Sequence, residues 1–430
     1  MQAVKLYFSK LTNSKLAKDA SVYTAFTVFD RAVPFLFLPI ITRFLSPDEY
    51  GVYVTFQTLI SFFIPFLSLG TDASIIISYF KLTYEKFKEY FFNSFLVFLS
   101  LSLLVFLVFY FFSPQISDIV KFPSEWLLWV FAGCFFQYVN DLNANLWQSF
   151  REPHKYGFFK ISYTILKNGL NLFFVINLHL SWKGLVYSQV ITAVLFAIIS
   201  LIIFVKRNYF TFSFDKNDIK DSLHYGVPLS MHNLGAWAAD LASRLILNSL
   251  VGIAATGEFG AGATLGMVVS LVQDSFNRAF APYLFEKLKT PTPEIKKSLV
   301  KKTYLYYIVI FIVAGIVGIA GSLAASTILG SKYQNSGQFI IWISFAYAFT
   351  GLYKMHVNYI FYEKKSKLLM LITFISGAVN IGLCFLLIKS NGAIGAAQAF
   401  LLSNIISYIV TFYISNKLIP MPWNLFKLAK

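Results

Sequence analysis

The chain has 430 residues, of which 57% are hydrophobic, 19% are aromatic and only 13% are charged. A water-soluble protein of this length needs many more charged side chains to cover its core, so the composition excludes soluble enzymes, secreted disulfide scaffolds and disordered chains. A mean hydropathy of +0.64 indicates that most of the surface faces lipid. The formal net charge of +16, from 36 Lys and Arg against 20 Asp and Glu, therefore needs an explanation.

The apolar residues fall into about twelve windows long enough for membrane-spanning helices, which need roughly 20 residues each. These windows are 21–45, 51–79, 90–113, 125–149, 157–178, 183–205, 223–250, 259–284, 303–329, 338–361, 368–388 and 393–415. The N-terminal segment is polar up to Asp19, and no small-residue cleavage site follows the first apolar run, so we expect a retained helix. The sequence predicts an all-α integral membrane protein.

The first two windows carry helix-breaking residues and one deeply placed cation. Pro34 and Pro39 lie in the first window, and the second contains Pro65 and then Gly70, so bends are expected in both. Arg31 is costly in lipid and should face a cavity or a partner. The adjacent Asp30 points about 100° away around the helix, so it is not a ready intrahelical partner of Arg31.

Polar residues recur on one face of the fourth window. Gln137, Asp141, Asn145 and Gln148 follow at steps of four, four and three, and Asn140 and Asn143 widen this face. Lipid cannot satisfy such a stripe, so it lines a water-filled space or packs against a neighbouring helix.

Four further cations lie within predicted spans. On the fifth, Lys167 is too deep to reach the interface easily, so it lines an aqueous cavity or bridges to a carboxylate on another helix. The seventh and eighth carry possible pairs with i,i+4 spacing, Asp240 with Arg244 and Asp274 with Arg278. Lys354 lies about two turns from the end of the tenth window. Its side chain either reaches the membrane interface or lines a cavity, and the sequence favours neither alternative.

The remaining cations indicate the orientation of the chain. With the N-terminus in the cytoplasm, 26 Lys and Arg, Lys160 among them, fall on inside segments and five on outside loops, which leaves the five within spans. This positive-inside bias predicts that both termini are cytoplasmic and accounts for most of the net charge. Nucleic-acid binding is not expected, because the cations are spread over seven segments.

A weak internal repeat divides the chain into halves. At an offset of 209, Glu49-Tyr50-Gly51 aligns with Glu258-Phe259-Gly260, Asn171 with Asn380, and Gln189 with Gln398. Repeats with an even number of helices are parallel, so we expect two six-helix bundles around a central cavity. The expected divisions are residues 1–206, a cytoplasmic linker at 207–222, and residues 223–430.

No catalytic or metal constellation is apparent. The five histidines are scattered without metal-ligand spacing, and Cys134 and Cys384 lie in apolar runs, where thiols are usually small hydrophobic side chains. A membrane glycan polymerase or ligase remains an enzymatic alternative, although such enzymes usually need a sizeable extramembrane loop. The pattern is more typical of a transporter than of an enzyme.

Three motifs resemble a known family. They are the stretch from Pro39 to Tyr53 (PIITRFLSPDEYGVY), Gln148-Ser149-Phe150-Arg151 leading to Tyr156, and Tyr225-Gly226-Val227-Pro228 leading through Trp237 to Arg244. They are similar to the Wzx-type O-antigen and polysaccharide flippases of the multidrug/oligosaccharidyl-lipid/polysaccharide (MOP) exporter superfamily.

This resemblance implies alternating-access transfer of an undecaprenyl-pyrophosphate-linked oligosaccharide across the bacterial inner membrane, from the cytoplasmic to the periplasmic leaflet. A monomer without a cofactor is expected, with H⁺ or Na⁺ as the candidate coupling ion. Glycan polymerase or assembly proteins are candidate partners beside the membrane lipids. The residues expected to bind substrate are Arg31, Lys167, Arg244, Arg278, Lys354, Asn145 and Gln148, and those expected in ion coupling are Asp30, Asp141, Asp240 and Asp274. The alternatives are a multidrug and toxin extrusion antiporter, which should have an acidic cavity for cationic drugs, and an inactive scaffold in a glycan assembly complex.

Overall fold

The structure is a computed structural model that describes residues 15–363 and 365–424. Within these ranges the side chains of residues 15–25, 27, 28, 31, 232, 239, 240, 366 and 367 lie outside the description. The described residues form fifteen α-helices without a strand: α1 Lys15–Phe44, α2 Pro47–Ser68, α3 Thr71–Lys81, α4 Tyr84–Val120, α5 Leu127–Ser149, α6 Pro153–Leu172, α7 Ser181–Lys206, α8 Lys216–Asp240, α9 Ala242–Leu250, α10 Ile253–Gly266, α11 Val268–Lys287, α12 Pro293–Leu329, α13 Gly337–Tyr362, α14 Ser366–Asn391 and α15 Ile394–Leu418.

Every predicted window falls on helical structure, so the expected all-α membrane architecture is confirmed. In the described part of the chain, seven helical segments are long and apolar enough to cross a membrane by length and composition alone. Along α12, large apolar side chains such as Leu305, Ile312 and Ile319 are more than half exposed, as expected for a surface solvated by acyl chains.

Three predicted spans are each built from two helices. The second breaks between α2 and α3 at Leu69 and Gly70, as Pro65 and Gly70 predict, and Gly70 has a φ of 72°, which favours glycine. The seventh breaks at Leu241, which has a φ of −114°, and the eighth breaks at Met267. No proline marks these last two positions, so the sequence windows did not reveal them.

The described chain separates into two compact units. Unit 1 consists of two segments, the described chain up to Phe44 and Leu59–Met231. Unit 2 consists of Leu45–Thr58 and the described chain from His232 onward. The division into residues 1–206, a linker and 223–430 stays a prediction.

Unit 1 has an aromatic interior. Phe91 stacks on Phe95 with ring centroids 5.9 Å apart, and it also contacts Phe204 and Tyr209. These contacts join α4 to the end of α7 and the segment that follows. Because lipid removes the hydrophobic drive for helices to associate, such ring packing and close van der Waals contact hold the bundle together.

In unit 2, the start of α2 packs backbone to backbone against α10. A Cβ atom at Gly257 would lie 1.9 Å from the carbonyl oxygen of Pro47, and one at Gly51 would lie 2.0 Å from that of Ile253. Only residues without a side chain allow this approach. This contact holds the neighbouring residues of α2, including Tyr50 and Tyr53, within unit 2.

Candidate functional site

One face of α6 carries a row of polar side chains in unit 1. Lys160, Thr164 and Lys167 recur at steps of four and three, so they lie on the same helix face. Lys160 Nζ lies 2.7 Å from Asp141 Oδ1 on α5. The Thr164 hydroxyl donates to Asp30 Oδ1 on α1. Lys167 interacts electrostatically with both Asp30 and Lys160.

A glycine allows α6 to come close to α1. A Cβ atom at Gly157 would lie 1.9 Å from Cε2 of Phe26, so a larger residue would push the two helices apart. Gly157 is one turn before Lys160 and two turns before Thr164. The contact between Thr164 and Asp30 therefore depends on close helix packing as well as on the side chains themselves.

A third carboxylate joins this network from α3. Asp72 interacts electrostatically with Asp141 and with Tyr138. The adjacent Thr71 shares a 2.6 Å hydrogen bond with the Tyr138 hydroxyl. The unit 1 network thus consists of Asp30, Asp72, Asp141, Lys160 and Lys167, on four helices.

The polar residues of α5 divide between two roles. Asn140 Nδ2 donates to the Ala193 carbonyl at 2.9 Å, and Asn143 Nδ2 donates to Ser200 Oγ at 3.1 Å, so both bond α5 to α7. The other polar positions, Gln137, Asp141, Asn145 and Gln148, are half-buried or exposed. Of the predicted polar face, Asn140 and Asn143 therefore bond to a neighbouring helix, whereas Asp141 belongs to the charged network.

In unit 2, the central contact joins α11 to α13. The Lys354 ammonium donates to Asp274 Oδ1, and the two side chains are 27% and 22% exposed. One turn further along both helices, Asn358 Nδ2 donates to Asn277 Oδ1 at 2.8 Å. The sequence suggested Arg278 as the partner of Asp274, but the ion pair described for Asp274 is with Lys354, and Arg278 is exposed.

A second feature of unit 2 surrounds Arg244 on α9. Arg244 is half-buried and interacts electrostatically with Tyr50, whose side chain is also hydrogen-bonded to Thr264. Within the described residues, the Nε of Arg244 is buried without a hydrogen-bond partner. The neighbouring Tyr53 hydroxyl accepts from Gln57 Nε2 at 2.6 Å. A half-buried guanidinium beside aromatic hydroxyls can meet an anionic or hydroxyl-rich ligand.

The predicted site residues are thus only partly assembled by the described contacts. Asp30, Asp141 and Lys167 share one network in unit 1, and Asp274 is paired with Lys354 in unit 2. Asn145 and Gln148 lie on α5 without a described side-chain contact to these charges. The side chains of Arg31 and Asp240 lie outside the described residues.

Sequence reasoning missed several residues of these networks. Lys160 was grouped with the cytoplasmic lysines, although its spacing of seven from Lys167 places both on one helix face. Asp72 follows the break at Gly70, where the helical phase is interrupted, and no pattern in the sequence indicated its neighbours. No group of three or more His, Cys, Asp or Glu side chains suited to a metal ion occurs in the described part of the chain.

Comparison with known proteins identifies the family. Residues 16–288, more than half of the chain, match the family described as "Polysaccharide biosynthesis protein". "Lsg locus putative protein 1" of Haemophilus influenzae is 26% identical over 395 residues, covering 87% of this chain and 93% of the relative. An "Uncharacterized membrane protein" of the same organism is 24% identical over 379 residues, with coverages of 85% and 89%.

Solved structures show the same fold at low sequence identity. A multidrug resistance MATE family transporter of the MOP superfamily, in an inward-facing conformation, superposes with a TM-score of 0.67 at 15% identity, covering 90% of this chain and 94% of the other. The lipid II flippase MurJ, in an inward closed conformation, gives a TM-score of 0.65 at 15% identity, with coverages of 91% and 87%. A MOP superfamily transporter from Pyrococcus furiosus gives 0.61 at 15% identity, with 98% of both chains covered.

These matches confirm the resemblance to Wzx-type flippases at the level of family and fold. The described helices share the fold of these solved transporters. With more than half of its length matched by the family, the chain belongs to the polysaccharide biosynthesis protein family.

Proposed function

We propose that this protein flips an undecaprenyl-pyrophosphate-linked oligosaccharide from the cytoplasmic to the periplasmic leaflet of the bacterial inner membrane. In this proposal both termini are cytoplasmic and the protein acts as a monomer. Movement of the halves 1–206 and 223–430 exposes the substrate site to each side of the membrane in turn. The named activity of MurJ as a lipid II flippase supports this reading, because the two chains share a fold. The family match to polysaccharide biosynthesis supports a glycan as the cargo.

The observation that carries the proposal is the pair of lysines on α6. A charged side chain costs about 2.5–3.5 kcal/mol at the centre of a membrane helix, so Lys167 is expensive to keep there without a function or a partner. Lys160 lies two turns nearer the start of the same helix. The described neighbours of the two lysines are carboxylates on other helices, Asp141 and Asp30. A pyrophosphate can take the place of a carboxylate beside an ammonium group, because both are anions that accept charge-assisted hydrogen bonds.

Substrate binding and ion coupling would then act on the same groups. Protonation of Asp30 or Asp141 removes a negative charge beside a lysine and so changes the net charge presented to the headgroup. The proposed coupling residues are Asp30, Asp141, Asp240 and Asp274, with H⁺ or Na⁺ as the ion. The proposed substrate-binding residues are Arg31, Lys167, Arg244, Arg278, Lys354, Asn145 and Gln148, to which Lys160 is added from its position on α6.

One observation favours a second candidate, the extrusion of cationic drugs. In the described unit 1 network, Asp30, Asp72 and Asp141 outnumber Lys160 and Lys167. An acidic surface suits a cationic drug, and one structural neighbour is described as a multidrug resistance transporter. The two functions predict opposite effects of removing a lysine, because a cationic drug gains from that loss and a pyrophosphate does not.

The test combines transport in proteoliposomes with export in the native host. The purified chain is reconstituted with a lipid-linked oligosaccharide, and the sugar that becomes accessible to an external lectin is measured for wild type, Lys167→Gln and Lys183→Gln. Lys183 is an exposed lysine near the start of α7 and serves as the charge-matched control. Loss of a charge-assisted contact of about 1.5–3 kcal/mol predicts roughly 10- to 100-fold slower flipping for Lys167→Gln and no change for the control.

Host experiments then separate the alternatives. A strain that lacks the gene should regain surface glycan with wild type and not with Lys167→Gln at equal expression. Wild-type flipping rates for the Lys167→Gln and Arg31→Gln variants would contradict the site assignment. Drug resistance conferred without any rescue of glycan export would support extrusion instead.

A further inference from the structure

A groove in unit 2 lies away from the charges already described. It has a volume of about 430 Å³, within the range of roughly 300–1,000 Å³ usual for small-molecule sites. One wall is formed by residues just before α12 and in its first turn, and the other wall by the residues that follow α15. Its lining residues are Pro291, Pro293, Lys296, Lys297, Pro420, Met421 and Pro422. Four prolines with fixed φ angles give the groove stiff walls around two lysines.

Hydrogen bonds hold the wall formed by the C-terminal segment. Lys296 Nζ donates to the Pro420 carbonyl at 3.1 Å. Asn416 Oδ1 accepts from the Met421 backbone N–H and from Trp423 Nε1, each at 3.1 Å. The Tyr304 hydroxyl on α12 donates to the Trp423 carbonyl at 2.7 Å. The groove is therefore built by specific contacts.

The surroundings of the groove are strongly cationic. Residues 285–302 contain six lysines and two glutamates. Lys296 is held by the Pro420 carbonyl, whereas Lys297 is half-buried on the groove wall and Lys301, one turn further, is exposed. Anionic groups should therefore concentrate at this end of unit 2.

An apolar stripe on α12 continues from these lysines. Leu305, Ile308, Ile312, Ile316 and Ile319 follow Lys297 and Lys301 at steps of three or four and are each 55–62% exposed. At 100° per residue, all seven positions lie on one helix face. An acyl chain lying along this stripe would place its headgroup beside Lys301 and Lys297.

We propose that this groove binds the phosphate of an anionic phospholipid, with the acyl chains on the α12 stripe and the headgroup between Lys297 and the proline walls. Lys297 and Lys301 supply the positive charge, and each contributes as a point charge to a phosphodiester. In the orientation proposed above, the lipid belongs to the cytoplasmic leaflet. The inference uses that orientation and does not depend on the identity of the transported glycan.

The experiment measures lipid retention by the purified full-length chain. The protein is reconstituted in phosphatidylcholine nanodiscs with cardiolipin as a minor component, and the bound cardiolipin is counted by native mass spectrometry after gentle release. Wild type is compared with Lys297→Gln/Lys301→Gln and with Lys332→Gln/Lys389→Gln, which removes two exposed lysines elsewhere in unit 2. Each basic residue contributes about 1 kcal/mol, so we expect the groove variant to retain cardiolipin roughly 10- to 30-fold more weakly than wild type. The control variant should retain as much cardiolipin as wild type.

Further arms identify the ligand. Cardiolipin retained equally by the groove variant and the control would overturn the proposal. Displacement of cardiolipin by inorganic phosphate at comparable concentration would also overturn it, because the site would then recognise free phosphate rather than a lipid. Thermal unfolding in pure phosphatidylcholine checks the fold, and the single exposed change Lys301→Gln replaces the double variant if that does not fold. Cardiolipin retention by a chain that does not flip glycan would contradict only the proposed transport.

Discussion

The two units carry their intramembrane charges in different ways. In unit 1, three carboxylates and two lysines form a network over four helices, and Lys160 and Asp141 are 26% and 41% exposed. In unit 2, Asp274 and Lys354 form a more enclosed pair, with a separate arginine, Arg244, beside Tyr50. Charges in a shared, partly exposed network can exchange partners at small cost, whereas an isolated pair mainly neutralises itself. We therefore expect the unit 1 network to change its charge readily during transport, and the Asp274–Lys354 pair to contribute to the stability of unit 2 in addition to its proposed part in transport.

The largest effect on stability should come from opening the unit 2 pair. Lys354→Met leaves Asp274 without its described ion-pair partner, and loss of one member of a buried pair costs roughly 3–5 kcal/mol, less here because both side chains retain some solvent. We expect a clear fall in the thermal unfolding midpoint of the purified protein. The double variant Lys354→Met/Asp274→Asn should recover most of the loss. A double variant as unstable as the single one would show that the pair is not the cause.

The unit 1 pair should behave in the opposite way. Lys160→Gln is expected to slow flipping by about 10-fold, equivalent to roughly 1.4 kcal/mol, while the unfolding midpoint changes less than in Lys354→Met because the Asp141 side chain is 41% exposed. Lys155→Gln is the matched control, since Lys155 is an exposed lysine on the same helix paired with Glu152. A large loss of stability without loss of flipping would place Lys160 in the same class as Lys354 and remove the contrast between the units.

Close packing under the unit 1 network can be tested with two glycines of α6. Gly157→Ala introduces a methyl group that overlaps Phe26, whereas a Cβ at Gly169 meets nothing within 4 Å. Alanine is favoured over glycine in a helix by about 1 kcal/mol, so Gly169→Ala should raise the unfolding midpoint. Gly157→Ala should lower the midpoint and slow flipping by moving Thr164 away from Asp30. Equal effects of the two substitutions would show that the approach of α6 to α1 is not limiting.

The smallest effect is expected in unit 1, outside the apolar windows. Lys86 Nζ contacts Asp215 at 3.0 Å and Asp218 at 3.1 Å, which holds the segment before α8 against the start of α4. The hydrogen bond from Lys86 holds the pKa of Asp215 below its usual range. The stabilisation is therefore present above the ordinary Asp pKa and is lost as the pH falls through the lowered value.

Hydrogen exchange measures this contact. Lys86→Ala should increase amide exchange over residues 209–222 at neutral pH, and acidification of wild type should lower the protection of the same amides after correction for the pH dependence of intrinsic exchange. Lys88→Ala is the control, because Lys88 pairs with Glu85 on its own helix. Unchanged exchange in Lys86→Ala would show that other contacts hold this segment.

Individual residues show how far the sequence could predict the site. Lys167 was predicted because a cation deep in an apolar window is costly in lipid. Asp141 was predicted from its place on a polar helix face, and Asp30 from its position beside Arg31. Lys160 was available from helical spacing but was hidden by its position near the start of a span. The pairing of Asp274 with Lys354 could not be read from the sequence, because the partners are 80 residues apart.

The sequence by itself determined that the chain is an all-α membrane protein and where its spans lie. Long apolar windows leave the backbone no alternative in lipid but to satisfy its hydrogen bonds within helices. Only the tertiary structure decided which faces of those helices meet. That choice depends on close approaches such as Gly157 against Phe26 and on breaks such as Leu241, which reset the direction of each face. The partner of each buried charge follows from these contacts between helices, and local spacing contains no information about them.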